Sequence, residues 1–166
     1  MLPLHPIQME ICKSQMMGVK GIIRDMVESD ISQVLEVDNL CFCPELVEDE
    51  LSCYLIDGLM KVLVVNDKVV GFHIYKLEKD KLQSYRLGIH PDYRRRGYGS
   101  KMVKEAYRKL TAVRNKIVCM IGEYSDDPIK FLKNQGFKAT GVKRGECIDG
   151  SDGYCFELVL QESIVK

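Results

Sequence analysis

Three arginines and two glycines stand together in Arg94-Arg95-Arg96-Gly97-Tyr98-Gly99-Ser100, just after the apolar run Leu87-Gly88-Ile89 and the turn-former Pro91. Residues of these types in this order can hold a pyrophosphate. Glycines two apart let the backbone curl so that successive N–H groups face one concavity. The helical pattern that follows, Ser100 to about Val113, adds first-turn N–H groups and the positive end of a helix dipole. The guanidinium groups place fixed charge at the rim. A Walker-type loop is excluded, because no Gly-Lys-Ser/Thr follows. A dinucleotide fold wants a third glycine where Met102 stands, but Glu123 falls about where it wants an acid, so it stays open. The plainer alternative is a solvated arginine run ahead of a glycine-started helix.

The elements that must position this loop can be read from periodicity. Gly21–Arg24 is a short strand, and Ser29 or Asp30 caps a helix with Ile31, Val34 and Leu35 on one face. A second helix covers about Val47 to Leu59, with Leu51, Tyr54 and Leu55 at helical spacing. Lys61–Val65 and Val69–Leu77 form a hairpin through Asn66-Asp67-Lys68, and Gly71 marks a bulge. Lys81–Ile89 is the strand that feeds the loop. In the helix after it, Met102, Val103, Ala106, Leu110 and Val113 share a face, and Glu105 pairs with Lys109. Lys116–Ile121 is a strand, Asp126–Asn134 a short helix ended by Gly136, and Lys138–Ile148 and Tyr154–Leu160 are closing strands. The order β-α-α-β-β-β-α-β-α-β-β is a mixed α/β sheet with helices between strands.

Composition narrows the ligand. The 24 basic and 24 acidic side chains cancel, so no general field draws the chain to nucleic acid or a membrane, and a local basic cluster suits a small anion. Seven cysteines without a CxxC pair or Cys/His spacing argue against a metal site and for reduced thiols in a cytoplasmic protein. Residues 1–20 contain no continuous apolar run, which predicts a tail and neither a signal peptide nor a span.

Arg94-x-x-Gly97-x-Gly99 resembles the Gln/Arg-x-x-Gly-x-Gly/Ala signature of the Gcn5-related N-acetyltransferases. Val70-Gly71-Phe72 is similar to that family's third strand, Leu87-Gly88-Ile89-His90-Pro91 to the end of its fourth, and Phe131–Phe137 to its helix ending in Gly-Phe. The resemblance covers about Gly21 to Leu160, leaving residues 161–166 as a second tail. It looks most like the ribosomal-protein alanine N-acetyltransferases of the RimI type. It implies a mostly antiparallel sheet of about seven strands flanked by about four helices, acting on an amine as a monomer or homodimer with acetyl-CoA as co-substrate. It assigns the pyrophosphate to Arg94, Arg95, Arg96, Gly97, Tyr98, Gly99 and Ser100, and the pantetheine arm to the backbone of Leu87, Gly88 and Ile89. It puts Ser125 where relatives carry a cofactor-contacting Asn.

The resemblance also shows what is missing. The glutamate base of the RimI type aligns with Met120, its tyrosine acid with Leu132, and Gln83 stands where histone-acetylating relatives carry a glutamate. Glu123 and Tyr154 are the replacement proton carriers. The alternatives are a solvated strand-end carboxylate and a half-buried strand aromatic. Tyr85 lines an acetyl pocket or packs, His73 and His90 are structural, and no base is paired with Cys147. An α-amine with pKa near 7.7–8.0 is roughly 10–15% neutral at pH 7, whereas a lysine at about 10.4 is neutral to well under ~0.1%. An enzyme without a strong base therefore favours a protein N-terminal α-amine. Two other functions fit the same residues. One is transfer to a small amine or antibiotic, with Glu45, Glu48, Asp49 and Glu50 as an acidic pocket or as an ordinary charged helix start. The other is a non-catalytic acyl-CoA-binding module.

Overall fold

The computed structural model describes residues 20–56, 60–147 and 149–161. The N-terminal tail, the expected helix end at Leu59, the expected strand end at Ile148 and all but the first residue of the C-terminal tail lie outside them. Among the described residues seven strands make one sheet: β1 (Ile22–Asp25), β2 (Met60–Val65), β3 (Lys68–Leu77), β4 (Leu82–Ile89), β5 (Lys116–Gly122), β6 (Lys138–Lys143) and β7 (Gly153–Val159). Their order is β1-β2-β3-β4-β5-β7-β6, and every neighbouring pair is antiparallel except β4–β5. Four α-helices among the described residues accompany it: α1 (Ile31–Cys41), α2 (Glu48–Ile56), α3 (Tyr98–Tyr107) and α4 (Asp126–Asn134). Both the element order and the mixed, mostly antiparallel sheet are those expected.

The β2–β3 turn has Asn66 and Asp67 at φ +49° and +60°, the two left-handed positions of a tight hairpin whose twist matches its strands. Leu63 pairs with Gly71 and Val64 with Val69, so Val70 is the extra residue of the bulge beside Gly71. β3 is buried from Val69 to Tyr75 because helices cover both of its faces. One face, with Val62, Phe72 and Ile74, packs under α1 and α2; the other, with Tyr75, Ile117 and Phe156, packs under α3 and α4. Edge strand β6 is exposed throughout, bulged at Thr140 and bounded by lysines, which blunts it against pairing.

Two local expectations shift. Asp30 does not cap α1 from below. Its carboxylate turns back to accept the Val27 N–H at 2.9 Å and to pair with Arg24 at 2.6 Å, and this pairing lowers its pKa. Helix α3 stops at Tyr107, short of Val113, and Val113 is exposed. There the ladder tightens to i→i−3 bonds, the Thr111 hydroxyl accepts the Arg114 N–H, and Arg114 donates to the carbonyls of Glu78 and Lys109. Glu105 does pair with Lys109, at 3.8 Å.

Gly88 shows how tightly the centre is built. A Cβ there would stand 2.8 Å from the fully buried Phe72 ring and 3.2 Å from Phe42. Gly88→Ala is expected to cost about 1–3 kcal/mol by overpacking, read as a lower urea midpoint at unchanged m-value.

Candidate functional site

Strands β4 and β5 are bonded only at Leu82–Ile117 and Gln83–Val118, and beyond those pairs they part. The cause lies on β4. Tyr75 pairs with Ser84 and Ile74 with Arg86, so Tyr85 is an extra, bulged residue, and a bulge bends its strand and increases twist. The Gln83 amide closes the apex of the split by donating to the carbonyls of Val118 (3.2 Å) and Ser84 (3.4 Å).

A cavity of about 340 Å³ fills the split. Phe42 and Arg86 line it on the α1 side of the sheet; Val103, Ala106, Phe131 and Leu132 line it on the α3–α4 side. Among the described residues no Asp, Glu or Lys is in its wall.

The arginine–glycine loop sits where β4 ends. A single 3₁₀ turn over Pro91–Tyr93 is followed by Arg95 at φ +62° and Gly97 at φ +78°. Gly97 is the residue before α3, and no atom lies within 4 Å of where its Cβ would stand. That open space lies beside the first turn of α3, where unpaired N–H groups can face an anion, and a side chain at 97 would fill it. Gly99 has a different task. The Phe131 ring of α4 stands 3.1 Å from where a Cβ would be, so the missing side chain makes room for helix packing. The Ser100 hydroxyl accepts from Gln135 Nε2 at 2.8 Å. Tyr98 is buried against the β2 side of the core.

The three arginines part company. Arg94 Nε donates to the Ile89 carbonyl at 2.9 Å, with Nη2 3.3 Å from Cys41 Sγ. Arg96 donates to the Asp92 carbonyl at 2.8 Å, 5.2 Å above the Tyr93 ring. Arg95 has no partner among the described residues and is exposed. Leu87 and Ser125 both line the cavity, Ser125 from the residue before α4; Gly88 and Ile89 complete the β4 edge that β5 leaves open.

Glu123 and Tyr154 are not brought to the cavity wall. Glu123 exchanges two bonds with Asp152, its N–H donating to the carbonyl at 3.0 Å and its Oε1 accepting the Asp152 N–H at 3.1 Å, which ties the end of β5 to the start of β7. Tyr154 lies opposite Ile121 and packs against the α3–α4 core.

The sequence did not reveal the partners of two groups. Arg86 donates to Asp38 (Nε at 2.7 Å, Nη2 at 3.2 Å) and to the Pro44 carbonyl at 2.6 Å, with its guanidinium 4.2 Å above the Phe42 ring. Asp38 is fully buried and also accepts the Leu46 N–H at 2.7 Å, so one ion pair shapes the whole α1–α2 connection beside the cavity. The second group is His73, buried beneath β4 with Nε2 2.8 Å from Ser84 Oγ; burial pushes its imidazole down to about 4. The sequence reads His73 as structural, and only the register of β3 on β4 reveals its partner.

A family model described as an acetyltransferase (GNAT) domain matches residues 57–139, half of the chain. The chain belongs to the GNAT acetyltransferases. No curated protein matches it. Among solved structures the GNAT domain is similar to Ard1 from Thermoplasma volcanium, with a TM-score of 0.77, 20% identity, and 86% of this chain and 99% of that one covered. The ribosomal-protein-S18-alanine N-acetyltransferase from Escherichia coli gives 0.73 and 17%, covering 89% and 99%. Arabidopsis thaliana Naa50, in complex with the bisubstrate analogue CoA-Ac-MVNAL, gives 0.74 and 20%, covering 84% and 99%. At these identities the likeness is one of fold.

Proposed function

We propose that this GNAT domain transfers acetyl from acetyl-CoA to a protein N-terminal α-amine. Arg95, the amides around Gly97–Ser100 and the dipole of α3 hold the pyrophosphate. The open edge of β4 at Leu87–Ile89 takes the pantetheine arm, and Ser125 adds a hydroxyl at the start of α4. The bound co-substrate supplies an activated acyl carbon; the chain supplies orientation and a dry slot for it.

The observation that carries the choice of acceptor is the wall of the cavity. It is lined by Met120 and Leu132 at the positions where the resemblance puts a base and an acid, and it holds no carboxylate among the described residues. An amine entering it must arrive neutral, which an α-amine does far more often than a lysine. Two of the fold relatives fit this choice, one being an S18-alanine N-acetyltransferase and the other carrying a CoA–peptide analogue. Of the acidic residues that suggest a small cationic acceptor, Glu48, Asp49 and Glu50 are the first turn of α2, where Glu50 accepts the Val47 N–H at 3.2 Å, and Glu45 precedes the helix.

The test is release of free thiol from acetyl-CoA against peptides with free N-termini, peptides with only lysine amines, polyamines and aminoglycosides. Transfer to N-terminal peptides is expected to be at least about tenfold faster than to lysine, given their neutral fractions. Faster transfer to lysine side chains would refute it. The same apolar wall supports a second reading, an acyl-CoA-binding module, and binding without thiol release would select it.

A further inference from the structure

Among the described residues, one hydrogen-bonded pair of side chains has both members in the cavity wall: His73 Nε2 and Ser84 Oγ, 2.8 Å apart. Backbone geometry put the serine there. Because Tyr85 is bulged out of the ladder, Ser84 and Leu87 lie opposite Tyr75 and His73 and so face the α3–α4 side together. Ser84 is also the first residue past the last β4–β5 pair, Gln83–Val118, at the closed end of the split. Leu132 lines the same cavity from α4, at the position where the resemblance puts a tyrosine acid. The wall also holds the phenol of Tyr85, which is exposed, the thiol of Cys41, which reaches the Ile89 carbonyl, and the hydroxyl of Ser125 at the start of α4. Arg86 is spent on Asp38 and Pro44, and burial pushes the Cys119 thiol up to about 12.

We propose that Ser84 shuttles the proton of the transfer step and that His73 is the positioning residue that holds its hydroxyl. This rests on the acetyl-transfer function above. Burial keeps the imidazole neutral at pH 7, so it carries one N–H. With that hydrogen on Nε2, the ring donates to Ser84 Oγ, and the serine's own hydrogen is directed away from the ring toward the cavity. During transfer the amine nitrogen bonds the thioester carbonyl carbon, and the carbon–sulfur bond breaks with its electron pair leaving on sulfur. Nitrogen and sulfur share that carbon while this happens, so one hydroxyl can face both. The surplus proton of the amine passes to Ser84 Oγ as the hydrogen of the serine passes to sulfur. Amide and free thiol leave, and Ser84 and His73 end as they began.

A bond that only staples β3 to β4 would make different predictions. Ser84→Ala is expected to lower kcat about 100-fold, the usual scale of one proton-transfer group, with the KM for acetyl-CoA changed less than about threefold. Ser84→Thr keeps the hydroxyl and is expected to recover to within about tenfold of the parent. Imaging the ring directly needs no acceptor. Imidazole nitrogen NMR of the parent should show His73 protonated at Nε2, with a signal that moves on adding acetyl-CoA and moves much less with desulfo-CoA. A Ser84→Ala kcat within about threefold of the parent, or equal losses in the Ala and Thr variants, would overturn the proposal. So would a ring protonated at Nδ1 or blind to acetyl-CoA. If the parent transfers to no amine at all, the acceptor assignment fails by itself, and the NMR arm alone decides whether this pair stands at the thioester.

Discussion

Gly97→Val is expected to remove acetyl-CoA binding while leaving the protein folded. Gly97 holds φ +78° and ψ 5°, a left-handed conformation that a β-branched residue rarely adopts and that costs an L-residue about 1–2 kcal/mol. Relief of that strain would turn the loop amides away from their common focus. If the loop holds, the new side chain occupies the space that is empty within 4 Å of the Cβ position, where the proposed pyrophosphate would sit. Either outcome forfeits the phosphate contacts, and a loss of about 3 kcal/mol is a weakening on the order of 100-fold. Calorimetric titration with CoA reads it, and the circular dichroism melt should fall only a few degrees. Gly99→Ala is the contrast. Its Cβ meets the Phe131 ring, so it should lower the melt with a smaller effect on CoA affinity. Tight CoA binding by the Gly97→Val protein would end the assignment of the loop.

Arg86→Met is expected to be the most destabilising single change near the site. It leaves the fully buried carboxylate of Asp38 with only the Leu46 N–H to answer it, and an abandoned buried charge costs about 3–5 kcal/mol. The Pro44 carbonyl loses its donor, and the Phe42 ring loses the guanidinium above it. For a domain of this size each kcal/mol shifts the melting temperature by about 2–4 °C, so a fall on the order of 10 °C should appear. Adding Asp38→Asn should restore part of the loss, because a neutral amide can still accept the Leu46 N–H without the stranded charge. A double-mutant cycle with no coupling between the two positions would show that the pair does not hold the α1–α2 connection.

The proposed pyrophosphate loop can be picked out in the sequence because everything it needs is local. Arg94 through Ser100 are contiguous, Pro91 starts the turn, and the helix after them carries its own periodicity. The tasks within the loop were not legible. Gly97 and Gly99 look alike in a string, yet one bends the backbone and the other makes room for Phe131, a residue 32 positions further on. The three arginines look equivalent, yet two are bonded to the backbone carbonyls of Ile89 and Asp92 and only Arg95 has no partner among the described residues. Val113 kept the helical spacing but lies past the end of α3, where Thr111 and Arg114 turn the chain toward β5. Glu123 was picked out by its place at a strand end. In the fold its carboxylate answers the Asp152 N–H.

By itself the sequence determined the kind of fold and marked one loop as suited to an anion, since periodicity, turn residues and a loop of seven adjacent residues are properties of short stretches. Only the tertiary structure decided where the chemistry has room. A one-residue bulge at Tyr85 parts β4 from β5, turns Ser84 toward His73 on the neighbouring strand, and leaves Arg86 to meet Asp38, 48 positions earlier. Bulges, registers and ion pairs of that span are settled by what packs against what, and no stretch of the chain carries them alone.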